Sequence, residues 1–283
     1  MVTIKSKKSD LDAETVDKSK SQSGQLIIIG GAEDKEGECQ ILREFIRRAG
    51  GRNAKIAIMT VATSSPEEVG SDYQDLFEKL GANQVEIVDT EEREDASDSR
   101  NLEVIEDSTG VFFTGGDQAR ITEILKNTEI DDLLHQKFEQ GLVIAGTSAG
   151  AAMMPDIMIV EGEGETNPRL DTVTLEPGMG FLSQVAIDQH FSQRGRLGRL
   201  VSALIQQPGV LGFGIDENTA IAVNGDEIEV IGEGAVTIVD VANISHTNLK
   251  ESLQDEALAI CGAKLHILPN SYRFSLKKRD CLL

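Results

Sequence analysis

The chain has 283 residues, 40% of them hydrophobic and 27 of them glycine, which suffices to bury a sizeable core without disulfides or metal. Lys and Arg total 27 against 48 Asp and Glu, a net charge of −21, and such a field argues against nucleic acid as a partner. The longest apolar runs, such as Leu26–Ile29, fall far short of the ~20 residues a membrane-spanning helix needs, so no membrane segment is expected.

Residues 1–23 carry no apolar central run, so they read as a disordered tail and not as a secretory signal. Cys39, Cys261 and Cys281 form no CxxC pair, which points to a reducing, cytoplasmic setting. From Gln25 the pattern becomes α/β. Leu26–Ile29 reads as a strand buried on both faces and closed by Gly30-Gly31. A helix with Ile41, Leu42, Phe45 and Ile46 on one face follows and stops at Gly50-Gly51. Ile56–Val61 is the next strand. Ser64-Ser65-Pro66 then supplies a cap and a first-turn proline for a helix ending near Leu80-Gly81. Val85–Val88 is a third strand, and the acidic stretch 89–107 holds a solvated helix. Val111–Phe113 is a fourth strand, stopping at Thr114-Gly115-Gly116-Asp117-Gln118. Helical segments around Ile121–Leu125 and Ile130–Phe138 lead into a fifth strand at Leu142–Ala145. This alternation predicts a doubly wound, mostly parallel sheet flanked by helices.

Beyond Pro155 the pattern turns β-rich. One amphipathic helix is expected from Ser192 to Ile205, followed by short strands near 210–215, 220–223, 227–230 and 236–239. No linker composition divides the chain, so residues 24–283 are expected to form one catalytic domain.

The chemistry concentrates at Gly146-Thr147-Ser148-Ala149-Gly150, a G-x-S-x-G sequence directly after an apolar strand. A sharp turn there exposes the Ser148 hydroxyl and aims the Ala149 N–H at a developing oxyanion, and Gly116 is the candidate second donor. A serine nucleophile needs a base. Of four histidines, His190 has the best position, after the apolar segment Val185–Ile187. His135 sits within a helix, His246 in a polar turn and His266 in an alternating run. Glu217, Asp216 and Glu165 all qualify as the acid that orients the base, and spacing does not separate them. Arg194, Arg196 and Arg199 form a basic cluster suited to carboxylates, with Arg196 and Arg199 at i,i+3. An α/β-hydrolase esterase would instead order its triad Ser, acid, His, using His246 or His266 after Asp216 or Asp240. The Gly-Gly turns complete no phosphate-binding motif, and the histidines show no ligand spacing, so neither nucleotide nor metal is expected.

The segments GGAED (30–34), TGGDQ (114–118), GTSAGA (146–151), DQHFSQRGRLGRL (188–200) and GIDENTA (214–220) resemble the cyanophycinase family. These serine peptidases, which include aspartyl dipeptidases, have a fold related to class I glutamine amidotransferases. The resemblance implies hydrolysis of cyanophycin, a poly-aspartate with arginine on each side-chain carboxyl, to β-aspartyl-arginine, and it implies a homodimer; on the missing motifs above, no cofactor is expected. It assigns Ser148 as nucleophile, His190 as base and Glu217 as orienting acid. Substrate binding falls on Gln118, Asp188, Gln189, Arg194, Arg196 and Arg199, with Asp188 or Asp117 receiving the substrate guanidinium.

Overall fold

The computed structural model describes residues 24–164 and 166–282. The tail expected over 1–23 lies outside the described residues, as does Glu165. In chain order the first half runs β1 (Gln25–Ile29), α1 (Gln40–Arg48), β2 (Lys55–Met59), α2 (Pro66–Lys79), β3 (Gln84–Val88), α3 (Ser99–Asp107), β4 (Gly110–Phe113), α4 (Gln118–Leu125), α5 (Glu129–Glu139), β5 (Val143–Thr147) and the short α6 (Ala149–Ala152). Pro66 opens α2 as expected, but no side chain caps that helix, whereas Asp98, Asp117 and Thr128 cap α3, α4 and α5. The acidic stretch settles as a 3₁₀ turn and α3, each pinned by a single fully buried residue, Ala96 and Ile105.

Strands β3-β2-β4-β5-β1 pair in parallel. Alternate residues along each strand feed opposite cores, because successive side chains leave a strand on opposite faces. Leu26, Ile28, Val111, Phe113 and Ile144 pack with Ile105, Ile121, Leu125, Ile130 and Leu134 of α3, α4 and α5. Ile27, Ile29, Phe112, Val143 and Ala145 pack with α1 and α2 through Ile41, Leu42, Phe45, Tyr73 and Phe77. The doubly wound α/β sheet expected from the sequence is the one observed.

The second half adds β6 (Ile157–Gly162), β7 (Val173–Pro177), β8 (Val185–Gln189), α7 (Leu197–Gln206), β9 (Leu211–Ile215), β10 (Thr219–Asn224), β11 (Glu227–Gly232), β12 (Ala235–Asp240), the two-residue pair β13 (His246–Thr247) and β14 (Ile260–Cys261), β15 (Lys264–Pro269), β16 (Arg273–Ser275) and β17 (Asp280–Leu282). Strand β10 pairs antiparallel with β1, and β11, β16 and β17 extend the main sheet to nine strands. A second sheet, β15-β12-β9-β8, shares a core with the first through Val185, Ile187, Phe213, Ile215 and Val236.

The helix expected over 192–205 is shorter than its apolar pattern. A 3₁₀ turn at Ser192–Arg194 ends at Gly195, whose φ of 59° breaks the spiral, and α7 starts only at Leu197. Leu197, at the start of α7, is exposed, while Leu200, Val201 and Leu204 are buried. Among the described residues, no helix is long and apolar enough to cross a membrane.

Candidate active site

The carboxyl ends of β1, β5 and β4 lie side by side, with Ile29 opposite Thr147 and Phe113 opposite Gly146. Ser148 follows β5 with φ 52° and ψ −108°, a conformation that L-residues avoid unless the surroundings impose it. Close packing imposes it here. A Cβ on Gly146 would stand 2.3 Å from the Gly150 carbonyl oxygen, so only glycine lets the strand fold back so tightly into α6.

The second sheet brings His190. Strands β8 and β9 are parallel, with Gln189 opposite Ile215, so His190 and the Asp216–Glu217 pair leave the sheet at the same edge. The His190 N–H donates to the Gly30 carbonyl at 2.8 Å, tying this edge to the end of β1. The Ser148 Oγ is 3.0 Å from His190 Nε2, and His190 Nδ1 is 2.6 Å from Glu217 Oε1. Gly31, at φ 100°, lies under the imidazole, where a Cβ would meet Cε1 at 2.3 Å.

Asp216 points elsewhere, accepting the Ser192 and Ala235 N–H groups at 3.0 and 3.2 Å, and Glu165 lies outside the described residues. The remaining histidines are also placed apart: His135, in α5, stacks on Phe181, His246 is on β13 and His266 is on β15. Burial lowers the His190 pKa below its ordinary value and so favours the neutral imidazole, and the Glu217 hydrogen bond opposes that shift. Gly115 lies against Ser148, with its Cβ position 3.5 Å from the Ser148 Cβ, which puts the Gly115-Gly116 turn beside the hydroxyl.

The substrate-binding expectations are redistributed. Asp188 is fully buried and cannot meet a substrate guanidinium. Its oxygens accept Arg199 Nε and Nη2 at 3.1 and 3.0 Å and Arg196 Nη1 at 3.3 Å. Arg196 and Arg199 are themselves buried, so the pair expected to hold carboxylates is already neutralised in part. Burial pushes the Arg196 pKa down to about 10, still protonated at pH 7. Arg196 Nη1 also holds the Gln189 carbonyl at 2.6 Å and its Oε1 at 3.0 Å, fixing the backbone directly before His190. Arg194 is exposed, and its charge is felt at His190. Gln118 Nε2 donates to the Val160 carbonyl at 2.7 Å, while Asp117 caps α4 through one oxygen.

Two clusters have no local sequence signal. Glu33 meets Thr147 and Tyr73 beside Ser148. At the far end of the second half, β15 and β17 bring His266, Asp280 and Cys281 together, with donor atoms within 4.8 Å of one another. Both Asp280 oxygens are engaged there, one by the Cys281 N–H and the other by Lys264.

The model for peptidase family S51 matches residues 26–231. A cyanophycinase from Trichormus variabilis is 41% identical over 259 residues, covering 91% of this chain and 87% of that protein. A cyanophycinase from Synechococcus elongatus is 38% identical over 277 residues, covering 96% and 86%. A crystal structure of a peptidase from an acI-B1 actinobacterium covers 90% of this chain and 98% of its own, with a TM-score of 0.65. At 21% identity, that last likeness concerns the fold alone.

Proposed function

The chain belongs to peptidase family S51, and from that membership we propose that it degrades cyanophycin as a serine peptidase, with Ser148, His190 and Glu217 as its catalytic residues. The observation that carries the reading is the unbroken chain of hydrogen bonds from Ser148 Oγ through the imidazole to Glu217. His190 Nε2 takes the hydroxyl proton as Ser148 Oγ bonds to the substrate carbonyl carbon. The Ala149 and Gly116 N–H groups stabilise the oxyanion. The imidazolium then protonates the leaving amine, and water, deprotonated by the same imidazole, releases the acyl group. Glu217 keeps Nδ1 protonated and stabilises the transient positive ring.

Each substrate unit carries a carboxylate and a guanidinium. Exposed Arg194 suits the first, and the free oxygen of Asp117 suits the second. A homodimeric, cytoplasmic enzyme is part of the same proposal, and light scattering on the purified chain tests the dimer. The experiment for the activity is incubation with insoluble cyanophycin and mass spectrometry of the soluble fraction. Release of β-aspartyl-arginine is expected. Its absence from protein that a fluorophosphonate labels at Ser148 would move the substrate to short β-aspartyl peptides.

The lowered His190 pKa sets a pH dependence. Catalysis needs the neutral imidazole, and burial disfavours the charged form. Activity is therefore lost only as pH falls through a pKa below the ordinary value of about 6.5. Glu217→Gln removes an interaction that raises this pKa, so the acid limb of kcat/KM shifts further to acid pH in that variant. A limb that moves to higher pH would contradict the assignment.

A further inference from the structure

The turn after β1 touches all three arms of the triad. It carries the base, through the Gly30 carbonyl and the close approach of Gly31 to the ring. It also carries the acid arm. The Asn218 N–H donates to the Gly31 carbonyl at 2.9 Å, and the Asp34 N–H donates to Asn218 Oδ1 at 2.9 Å, immediately after Glu217.

Glu33 reaches the third arm. Its Oε2 accepts the Thr147 hydroxyl at 2.5 Å, one residue before Ser148, while its Oε1 accepts the Tyr73 hydroxyl from α2. Glu33 is 5% exposed, Thr147 is 4% exposed and Tyr73 is 4% exposed, so the contacts are made in the interior. Lys35 Nζ stands 3.9 Å from Oε1 and 3.9 Å from the centre of the Tyr73 ring. Burial and the neighbouring carboxylate push the Tyr73 phenol pKa well up, which keeps it a hydrogen-bond donor.

A buried carboxylate is expensive, and an apolar group of similar size generally packs such a position at no loss of stability. The group it grips explains its presence better than packing does. Thr147 is the last residue of β5, and the backbone at Ser148 is strained. Strain persists only where the surrounding contacts over-determine it.

Resting on the reading of Ser148 as nucleophile, we propose that Glu33 is a positioning residue for catalysis, which through the Thr147 hydroxyl fixes the end of β5 and so holds Ser148 Oγ within reach of His190. Tyr73 holds the opposite oxygen and sets the rotamer of Glu33. Glu33 acts by position and not by proton transfer, because the Thr147 and Tyr73 hydroxyls it accepts from take no part in the reaction.

Glu33→Gln, Thr147→Val and the double variant of the full chain test this, by cyanophycin turnover and by the rate at which a fluorophosphonate labels Ser148. Misplacing a reacting group by about 1 Å costs on the order of 100-fold. The expected result is a 10- to 100-fold fall in kcat, with KM changed less than about threefold and labelling slowed by the same factor as kcat. The acid limb of the pH profile stays in place, because Glu33 makes no contact with the imidazole. The double variant is no slower than the worse single variant, because Thr147→Val already removes the hydroxyl through which Glu33 acts.

Wild-type kcat and labelling rates in folded single variants would overturn the proposal, as would additive losses in the double variant. Should Glu33→Gln not fold, Thr147→Val decides alone, since valine keeps the shape and removes only the hydroxyl. Wild-type protein that is labelled but releases no dipeptide would show a wrong substrate. The labelling rates of the variants then still test the positioning role.

Discussion

Ser148→Ala lowers the release of β-aspartyl-arginine from cyanophycin by about 10⁴-fold or more, while its unfolding free energy stays within about 1 kcal/mol of wild type. The large loss follows from the covalent step. In the proposed mechanism nothing else at the elbow can form the acyl bond once Oγ is gone, and the N–H groups proposed as the oxyanion hole, those of Gly116 and Ala149, are left only to polarise the carbonyl for water. The small change in stability follows from the contacts of the side chain. Its hydrogen bond is to His190, and the backbone that sets the elbow is held by Gly146, by Gly150 and by the Ser148 N–H on the Ile29 carbonyl at 3.1 Å. Mass spectrometry of the soluble fraction and a urea melt check both parts. A folded variant that keeps more than about 1% of the activity would remove Ser148 from the role of nucleophile. His190→Ala separates the same mechanism from the esterase alternative, which would keep its activity without His190.

Asp188→Ala destabilises the protein by about 3–5 kcal/mol, because it leaves two buried guanidiniums without their shared counter-ion. Arg196 and Arg199 are 8% and 4% exposed and cannot reach bulk water without opening the packing between β8 and α7. Arg199 would keep the Gly162 carbonyl at 2.9 Å, and Arg196 would keep Gln189, so the local geometry loosens without all of it being lost. Catalysis falls too, since Arg196 anchors the carbonyl directly before His190. Urea unfolding measures the first effect, and turnover of the residual folded protein measures the second. A loss below about 1 kcal/mol would mean that Asp188 does not serve as the internal counter-ion.

The order of strands and helices was legible because each signal is local. Leu26–Ile29, Val111–Phe113 and Leu142–Ala145 are apolar on both faces, and the fold buries both faces of those strands. Pro66 and Gly81 mark the ends of α2 for the same reason. The helix over 192–205 misread a real signal. Its apolar positions recur at helical spacing, but Gly195 adopts a left-handed conformation to turn the chain over the site, and periodicity carries no information about φ.

The α/β alternation, the elbow at Ser148 and a short set of partners for it are legible in local pattern alone. Hydrophobic period, glycine and proline are sufficient for those, because each acts within a few residues. What depends on distant pairing emerges only once the sheets are assembled. Glu217 and Asp216 are adjacent and carry the same charge. Only the parallel register of β8 and β9 sends Glu217 to His190, while Asp216 turns to the N–H groups of Ser192 and Ala235. Asp188 reads as an acid free to bind substrate until β8 is seen to be buried on both faces, where a carboxylate must be paired within the protein. Glu33 and Thr147 are separated by 114 positions, and no spacing rule connects them. They meet because β1 and β5 are neighbours in the sheet, and strand neighbourhood is set by how whole faces bury against one another.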